Sequence, residues 1–212
     1  MGYSVKHSES DVSAFIFDLF GVIIAFDNDI MFRRLAKHCT DPDDAFVRLN
    51  GFMAHREIIT DEWTLPRVHR RLVEEFGFDL DYPEFEAIWL KPYSWPMPGM
   101  ADFVRSLSER YRLVLLSNID RYYWKVVQGM HPELECFDAI LLSCDLRMAK
   151  PDPDIFRHAA EIAGAAPARC YFVDDTEVNV AAARDLGFRT HRFGNTSGLA
   201  AKLAWTGVGE PE

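Results

Sequence analysis

The string FIFDLFGVII, residues 15–24, constrains this chain more than any other. Ala14-Phe15-Ile16-Phe17 is a short, unbroken apolar run that ends at a lone acid, Asp18, and then reaches Gly21. Strict alternation would mark a strand with one wet face, whereas a short continuous run marks a strand covered on both faces, as in a parallel sheet. The run therefore predicts a first strand over residues 13–18. Such a strand delivers its last side chain to the carboxyl edge of the sheet, where open α/β folds gather their ligands. The position two beyond Asp18, where a second acid would be useful, is Phe20.

From Asn28 to about Trp95 the pattern changes to helical spacing. Ile30, Phe32, Leu35, Ala36 and Cys39 form one stripe, and Ala45, Phe46, Leu49, Phe52 and Met53 form a second. Trp63, Leu65, Val68, Leu72, Val73 and Phe76 form a third, closed by Gly77, and Pro83 to Leu90 reads as a shorter fourth helix. WPMPG, 95–99, breaks the pattern. Beyond it a helix over 100–110 precedes RLVLLSN, a helix near 120–129 precedes FDAILLS, and Lys150-Pro151-Asp152-Pro153 opens another helix. CYFVDD reads as a strand, followed by an Ala-rich helix from Val180 to Leu186 ending at Gly187, and Thr190 to Phe193 reads as the last strand. Strands separated by helices imply βαβ units. The predicted fold is α/β: a Rossmann-like parallel sheet core, 1–26 and 96–212, with a helical cap, 27–95, inserted after the first strand. The tail after Trp205 reads as frayed.

A net charge of −10 offers no cationic field for a nucleic-acid backbone or an acidic membrane surface. Arg67, Arg70 and Arg71 sit beside Glu74 and Glu75 and read as a solvated helix face. Cys39, Cys136, Cys144 and Cys170 show neither a CxxC pair nor zinc spacing, so four reduced, mostly buried thiols are expected. MGYSVKHSESD lacks the apolar centre of a signal peptide, and no run approaches a membrane span. A soluble cytoplasmic protein, monomer or homodimer, is the expectation.

Four strand ends share one edge of the predicted sheet. They carry Asp18, then Ser117-Asn118, then Lys150 after a short loop, then Asp174-Asp175. Each has a plain structural alternative, as a turn former, a surface lysine or a helix cap. Together, in this order, they make a site. Three carboxylates in one cleft repel and need a counter-charge. A hard divalent cation supplies it, Mg²⁺ taking a few carboxylate oxygens and leaving positions for water or phosphate oxygens. Lys150 adds positive charge near the nucleophile, Ser117 and Asn118 can donate to a transferring anionic group, and Asp18 can attack it to form an acyl-phosphate.

With these residues in place, the chain resembles the haloacid dehalogenase superfamily of hydrolases along nearly its whole length. FIFDLFGVI resembles the first motif, LLSNI the second, MAKPDPDIF the third and FVDDTEVNVAAARDLGF the fourth. The resemblance implies Asp18 as catalytic nucleophile with Lys150 beside it, and Ser117, Asn118 and Lys150 on the phosphoryl group. It implies Mg²⁺ held by Asp18, the Phe20 backbone carbonyl, Asp174 and Asp175, and a C1-type cap. Most phosphatases of the family place a general acid where this chain has Phe20. Two readings of that gap follow. The chain is similar to sugar-phosphate phosphatases that also lack the second acid, matched in LLSCDLRMAKP and FVDDTEVN, and would hydrolyse a small phosphorylated substrate. Alternatively it is similar to 2-haloacid dehalogenases, whose halide leaves without a proton but which need no metal and rarely carry paired acids in the fourth motif. A third reading, a catalytically weak binding module, runs against the intact set of Asp18, Lys150, Asp174 and Asp175. In the cap, Asp27 and Asn28 at its entry, His55, Arg56 and Trp95 are candidates for substrate selection, with packing and solvation as their alternatives. Asn179, one turn beyond Asp175, is a candidate for orienting the acids or a helix-surface residue.

Overall fold

The computed structural model describes residues 12–205, so the expectations for the N-terminal stretch and for the tail lie outside the described residues. In chain order the strands and α-helices are β1 (Ala14–Phe17), β2 (Ile24–Phe26), α1 (Asn28–Ala36), α2 (Pro42–Met53), α3 (Arg56–Ile59), α4 (Leu65–Phe76), α5 (Tyr82–Trp89) and β3 (Ser94–Pro96). They continue with α6 (Met100–Ser108), β4 (Arg112–Ser117), α7 (Arg121–Met130), β5 (Ala139–Leu142), α8 (Ser143–Leu146), α9 (Pro153–Ala163), β6 (Cys170–Asp174), α10 (Glu177–Asp185), β7 (Arg189–Arg192) and α11 (Thr196–Trp205).

Five strands form one parallel sheet in the order β5-β4-β1-β6-β7. β1 is central and wholly buried, which is why its sequence shows no polar face. Its side chains alternate between two cores. Phe15 and Phe17 pack with Met100 and Val104 of α6 and Val127 of α7, whereas Ala14 and Ile16 pack with Ile155, Phe156 and Ala159 of α9. Helices thus cover both faces, as βαβ crossovers require.

Helices α1 to α5 enclose a separate core that includes Leu35, Leu49, Leu72, Phe85 and Trp89. Local signals explain their ends. Asp41 caps α2 ahead of Pro42, Gly77 closes α4 in the left-handed region at φ 62°, and Asp81 with Glu84 forms a capping box on α5. This helical insertion leaves and rejoins the sheet domain through an antiparallel ribbon in which Ala25 pairs with Trp95. WPMPG therefore holds half of a strand as well as the expected break. Other differences are local. Trp63 precedes α4 instead of opening it, α3 is a separate short helix, the Ala-rich helix begins at Glu177, and the last strand runs one residue earlier than predicted. Arg67 and Arg71 lie over the Trp63 ring at 5.2 and 5.0 Å, so that helix face is partly stacked, not purely solvated. All four cysteines are free thiols. Among the described residues no helix is long and apolar enough to cross a membrane.

Ile16 sits at the centre of the sheet with no exposure, and Val47 on α2 is 73% exposed. Ile16→Ala is expected to lower unfolding free energy by about 2–5 kcal/mol through lost burial and a residual cavity. Val47→Ala is expected to stay within about 0.5 kcal/mol. Urea midpoints at unchanged slope would register the contrast, and equal midpoints would contradict the assigned core.

Candidate active site

Strand register builds the site. Phe17 pairs with Val173 on one side and Leu115 on the other, so the next residues along, Asp18 and Asp174, emerge side by side at the carboxyl edge. The Asp18 N–H donates to the Val173 carbonyl at 2.9 Å, which carries the pairing one residue past β1. Ser117 ends β4, and Lys150 arrives on the loop between α8 and α9, preceding a cis peptide to Pro151. All four side chains are buried.

The Lys150 amine lies between two acids, donating to Asp18 Oδ1 and to Asp174 Oδ2 at 2.7 Å each. One carboxylate oxygen from each of Asp18, Asp174 and Asp175 falls within a mutual span of 4.8 Å. Burial lifts the Asp18 carboxyl to about 8, with Lys150 opposing and Asp174 adding to the shift. Burial also raises Asp175, with Asp174 contributing. Lys150 shows the opposite balance: burial disfavours its charge, but Asp18 and Asp174 together outweigh that and raise its pKa. Hard oxygen donors at this spacing, with an excess of negative charge, fit a divalent cation.

Several residues orient these groups. Asn179 Nδ2 donates to both Asp174 oxygens at 3.2 and 3.1 Å, and the Thr176 N–H donates to Asp174 Oδ1 at 2.8 Å. Of the two alternatives for Asn179, orienting an acid is the one found. Thr176 was not singled out in the sequence, although a hydroxyl residue directly after paired acids is the signal that would have found it. The Thr176 hydroxyl donates to Asp175 Oδ1 at 3.2 Å. Gly21, at φ 78°, passes so close to Asp175 that a Cβ there would lie 2.3 Å from its Oδ2. Backbone conformation and space both require glycine at this point.

Asn118, expected to donate to the transferring group, has its amide engaged elsewhere. Nδ2 donates to the Lys150 carbonyl and Oδ1 accepts from the Lys150 N–H, both at 2.9 Å. Its side chain therefore fixes the backbone that carries Lys150. The Ser117 hydroxyl, by contrast, is buried without a hydrogen-bond partner, the condition of a group held for a ligand.

Two cavities meet at Asn118 and Ile59. One, of about 510 Å³, is lined by Lys150, Pro151, Asp152 and Arg56, with Arg56 paired to Asp152 at 3.3 Å. The other, of about 230 Å³, runs from Phe20 beneath α1 and α3. Arg56 alone of the expected cap residues lines the larger cavity. Asp27 caps α1 by accepting from the Asp29 N–H, His55 lies against Trp63 at 4.9 Å and beside Glu57, and Trp95 is exposed on β3. Asn28 lines the smaller cavity. The Phe20 ring belongs to an aromatic group with Phe26, Tyr93 and Tyr123 at 5.3–6.5 Å.

The chain is similar to known phosphatases and to solved structures of the haloacid dehalogenase family. A D-ribitol-5-phosphate phosphatase of Bacteroides thetaiotaomicron is 25% identical over 182 residues, covering 82% of this chain and 88% of that enzyme. An N-acylneuraminate-9-phosphatase of Rattus norvegicus is 31% identical over 172 residues, covering 78% of this chain and 64% of that protein. A haloacid dehalogenase family enzyme of Bacteroides thetaiotaomicron, solved with magnesium and inorganic phosphate, superposes with a TM-score of 0.75 at 26% identity, over 89% of this chain and 98% of the other. An L-2-haloacid dehalogenase of Xanthobacter autotrophicus shares the fold at 18% identity and a TM-score of 0.63, over 94% of this chain and 85% of the other. The family model for haloacid dehalogenase-like hydrolases matches residues 12–187, and the chain belongs to that family of hydrolases.

Proposed function

We propose that the protein is a Mg²⁺-dependent phosphatase acting on a small phosphate monoester through an aspartyl-phosphate on Asp18. The observation that carries this reading is the buried Asp18–Lys150–Asp174 arrangement with Asp175 alongside. A halide-releasing site needs no such surplus of negative charge around its nucleophile. The phosphatase relatives and the magnesium- and phosphate-bound neighbour support the same reading, and the relatives' names make sugar phosphates the first compounds to assay.

Asp18, Asp174, Asp175 and the Phe20 carbonyl would hold the ion. Bound there, Mg²⁺ offsets the charge of the carboxylates and of the phosphoryl oxygens. The remaining steps belong to this chain's own residues. An Asp18 carboxylate oxygen attacks phosphorus as the bond to the leaving-group oxygen breaks, and water then hydrolyses the acyl-phosphate. Lys150 holds Asp18 in position and stays charged through both acids. The free Ser117 hydroxyl donates to a phosphoryl oxygen, and Asn118 acts through Lys150. Arg56 is placed to meet a further anionic group of the substrate in the larger cavity, with the helical insertion, 27–95, serving as the cap.

Assays with Mg²⁺ and a phosphate-ester panel are expected to release phosphate, and chelator is expected to stop the release. Asp18→Asn is expected to abolish turnover. Chelator-insensitive halide release from 2-chloropropionate, with no phosphate release, would overturn the proposal.

The Asp18 shift also sets a pH dependence. Unfolded, its carboxyl titrates near the ordinary 3.8, and in the metal-free fold near about 8. Between those values the folded protein keeps a proton that the unfolded chain gives up, so metal-free stability falls as pH rises through that window. An ion bound by the carboxylate removes this penalty. The rise in Tm on adding Mg²⁺ is therefore expected to be larger at pH 8.5 than at pH 6, as read by thermal unfolding with Mg²⁺ or chelator.

A further inference from the structure

The smaller cavity is lined by Phe20, two residues along the chain from Asp18, and it shares Asn118 and Ile59 with the larger cavity, which Lys150 lines. Its walls are mainly Phe20, Phe26, Phe32, Met53, Ile58 and Tyr93. At about 230 Å³ it is larger than the roughly 150 Å³ apolar cavity that takes up benzene. Aromatic rings lie along one wall, with Phe20 stacked near-parallel on Tyr93 at 6.5 Å and 6°. A planar guest would extend that stack.

Most of the polar groups in these walls are already engaged. The Asn118 amide is tied at both ends to the Lys150 backbone. Asp120 caps α7, accepting from the N–H groups of Tyr122 and Tyr123 at 2.9 Å each and from the Trp89 indole. Asn28 is exposed. A polyol placed here would lose water from several hydroxyls and find few partners in return.

The cleft is equally poor in proton donors. Its ionisable side chains, among the described residues, are Asp120 and Tyr93. The Asp120 carboxyl is engaged as an acceptor at the start of α7, and the Tyr93 ring is stacked with those of Phe20 and Tyr123. Phe20 itself has no proton to give.

From the apolar, ring-sized cleft and the missing proton donor, which meet at Phe20, we infer that the leaving group is an aromatic alcohol and the substrate a small aryl phosphate whose ring lies in this cleft. The inference rests on the phosphatase reading. In the first step the Asp18 oxygen–phosphorus bond forms and the phosphorus–aryloxygen bond breaks. Its electron pair leaves on a phenolate, which is stable enough to depart unprotonated because phenols ionise near pH 10. Water then cleaves the aspartyl-phosphate and supplies the proton that the phenolate takes up in solution.

Three esters assayed with the Mg²⁺-loaded protein separate the two parts of the inference: phenyl phosphate, benzyl phosphate and ribitol 5-phosphate. Benzyl phosphate keeps the ring but has an alkoxide leaving group. Phenyl and benzyl phosphate are expected to share similar KM values, each at least about tenfold below that of ribitol 5-phosphate. In single turnovers the phenyl ester is expected to phosphorylate Asp18 about 10²–10⁴-fold faster than the benzyl ester, the usual worth of a general acid. Met53→Gln is expected to raise KM for both aromatic esters about tenfold. A KM for ribitol 5-phosphate equal to or below the aromatic values would overturn the aryl assignment while leaving the phosphatase reading in place. So would equal single-turnover rates for the two aromatic esters, which would reveal a proton donor. No chelator-sensitive release from any of the three, or from the wider panel, would overturn both.

Discussion

The rest of the structure depends on the position of one buried amine. Lys150 lies 2.7 Å from both Asp18 and Asp174, and all three are almost fully buried. Ionised groups survive burial only when paired, and removing one partner leaves the others exposed to the full desolvation penalty. Here a single cation faces three acids once Asp175 is included, a formal surplus of two negative charges if all are ionised. On top of burial, and against Lys150, that imbalance helps push Asp18 to about 8. It also explains why a divalent cation, and not a second lysine, fits the remaining space: oxygen donors are already in excess.

Holding such a cluster requires a stiff frame, and the central strand supplies it. Because β1 pairs on both sides, the positions of Asp18 and Asp174 are fixed by backbone hydrogen bonds instead of side-chain reach. Contacts from other elements then set side-chain direction. Asn179 and Thr176 fix the Asp174 carboxylate, the Asn118 amide pins the Lys150 backbone, and Gly21 leaves room for Asp175. The result is a site whose side chains are held by the sheet edge and by neighbouring loops.

What the sequence shows and what it hides follow the same division. β1, β4 and β6 are legible because double burial keeps their central residues apolar, and the polar residues at their ends stand out against that background. The stripes of α1, α2 and α4 are legible because each buries one face in the insertion core. The ribbon of β2 and β3 is not, since three residues a side carry no periodicity, and Trp95-Pro96 resembles a break. α3 has no side-chain cap, and its four residues cannot show a repeat. In the site, residue identities were legible but partnerships were not. The Asn118 amide is defined by a residue 32 positions away, and the Gly21–Asp175 approach by two loops meeting in space. Asp27, His55 and Trp95 stand at the right places in the chain, yet local geometry turns them to a helix cap, a neighbouring ring and solvent.

Phe20 illustrates how a missing group can be a present one. In the sequence it marks only the lack of an acid. In the fold its ring joins Phe26 at the start of the insertion, Tyr93 at its end and Tyr123 of α7, and the Tyr93 N–H donates to the Tyr123 hydroxyl at 3.0 Å. The residue that departs from the usual phosphatase pattern is therefore the one that ties the sheet edge to both legs of the ribbon. Phenylalanine supplies these ring contacts and no proton, whereas a carboxyl at the same place would be desolvated by the rings and would hold its proton to higher pH. The same apolar contact forms part of the wall of the smaller cavity, which Phe20, Phe26 and Tyr93 line together.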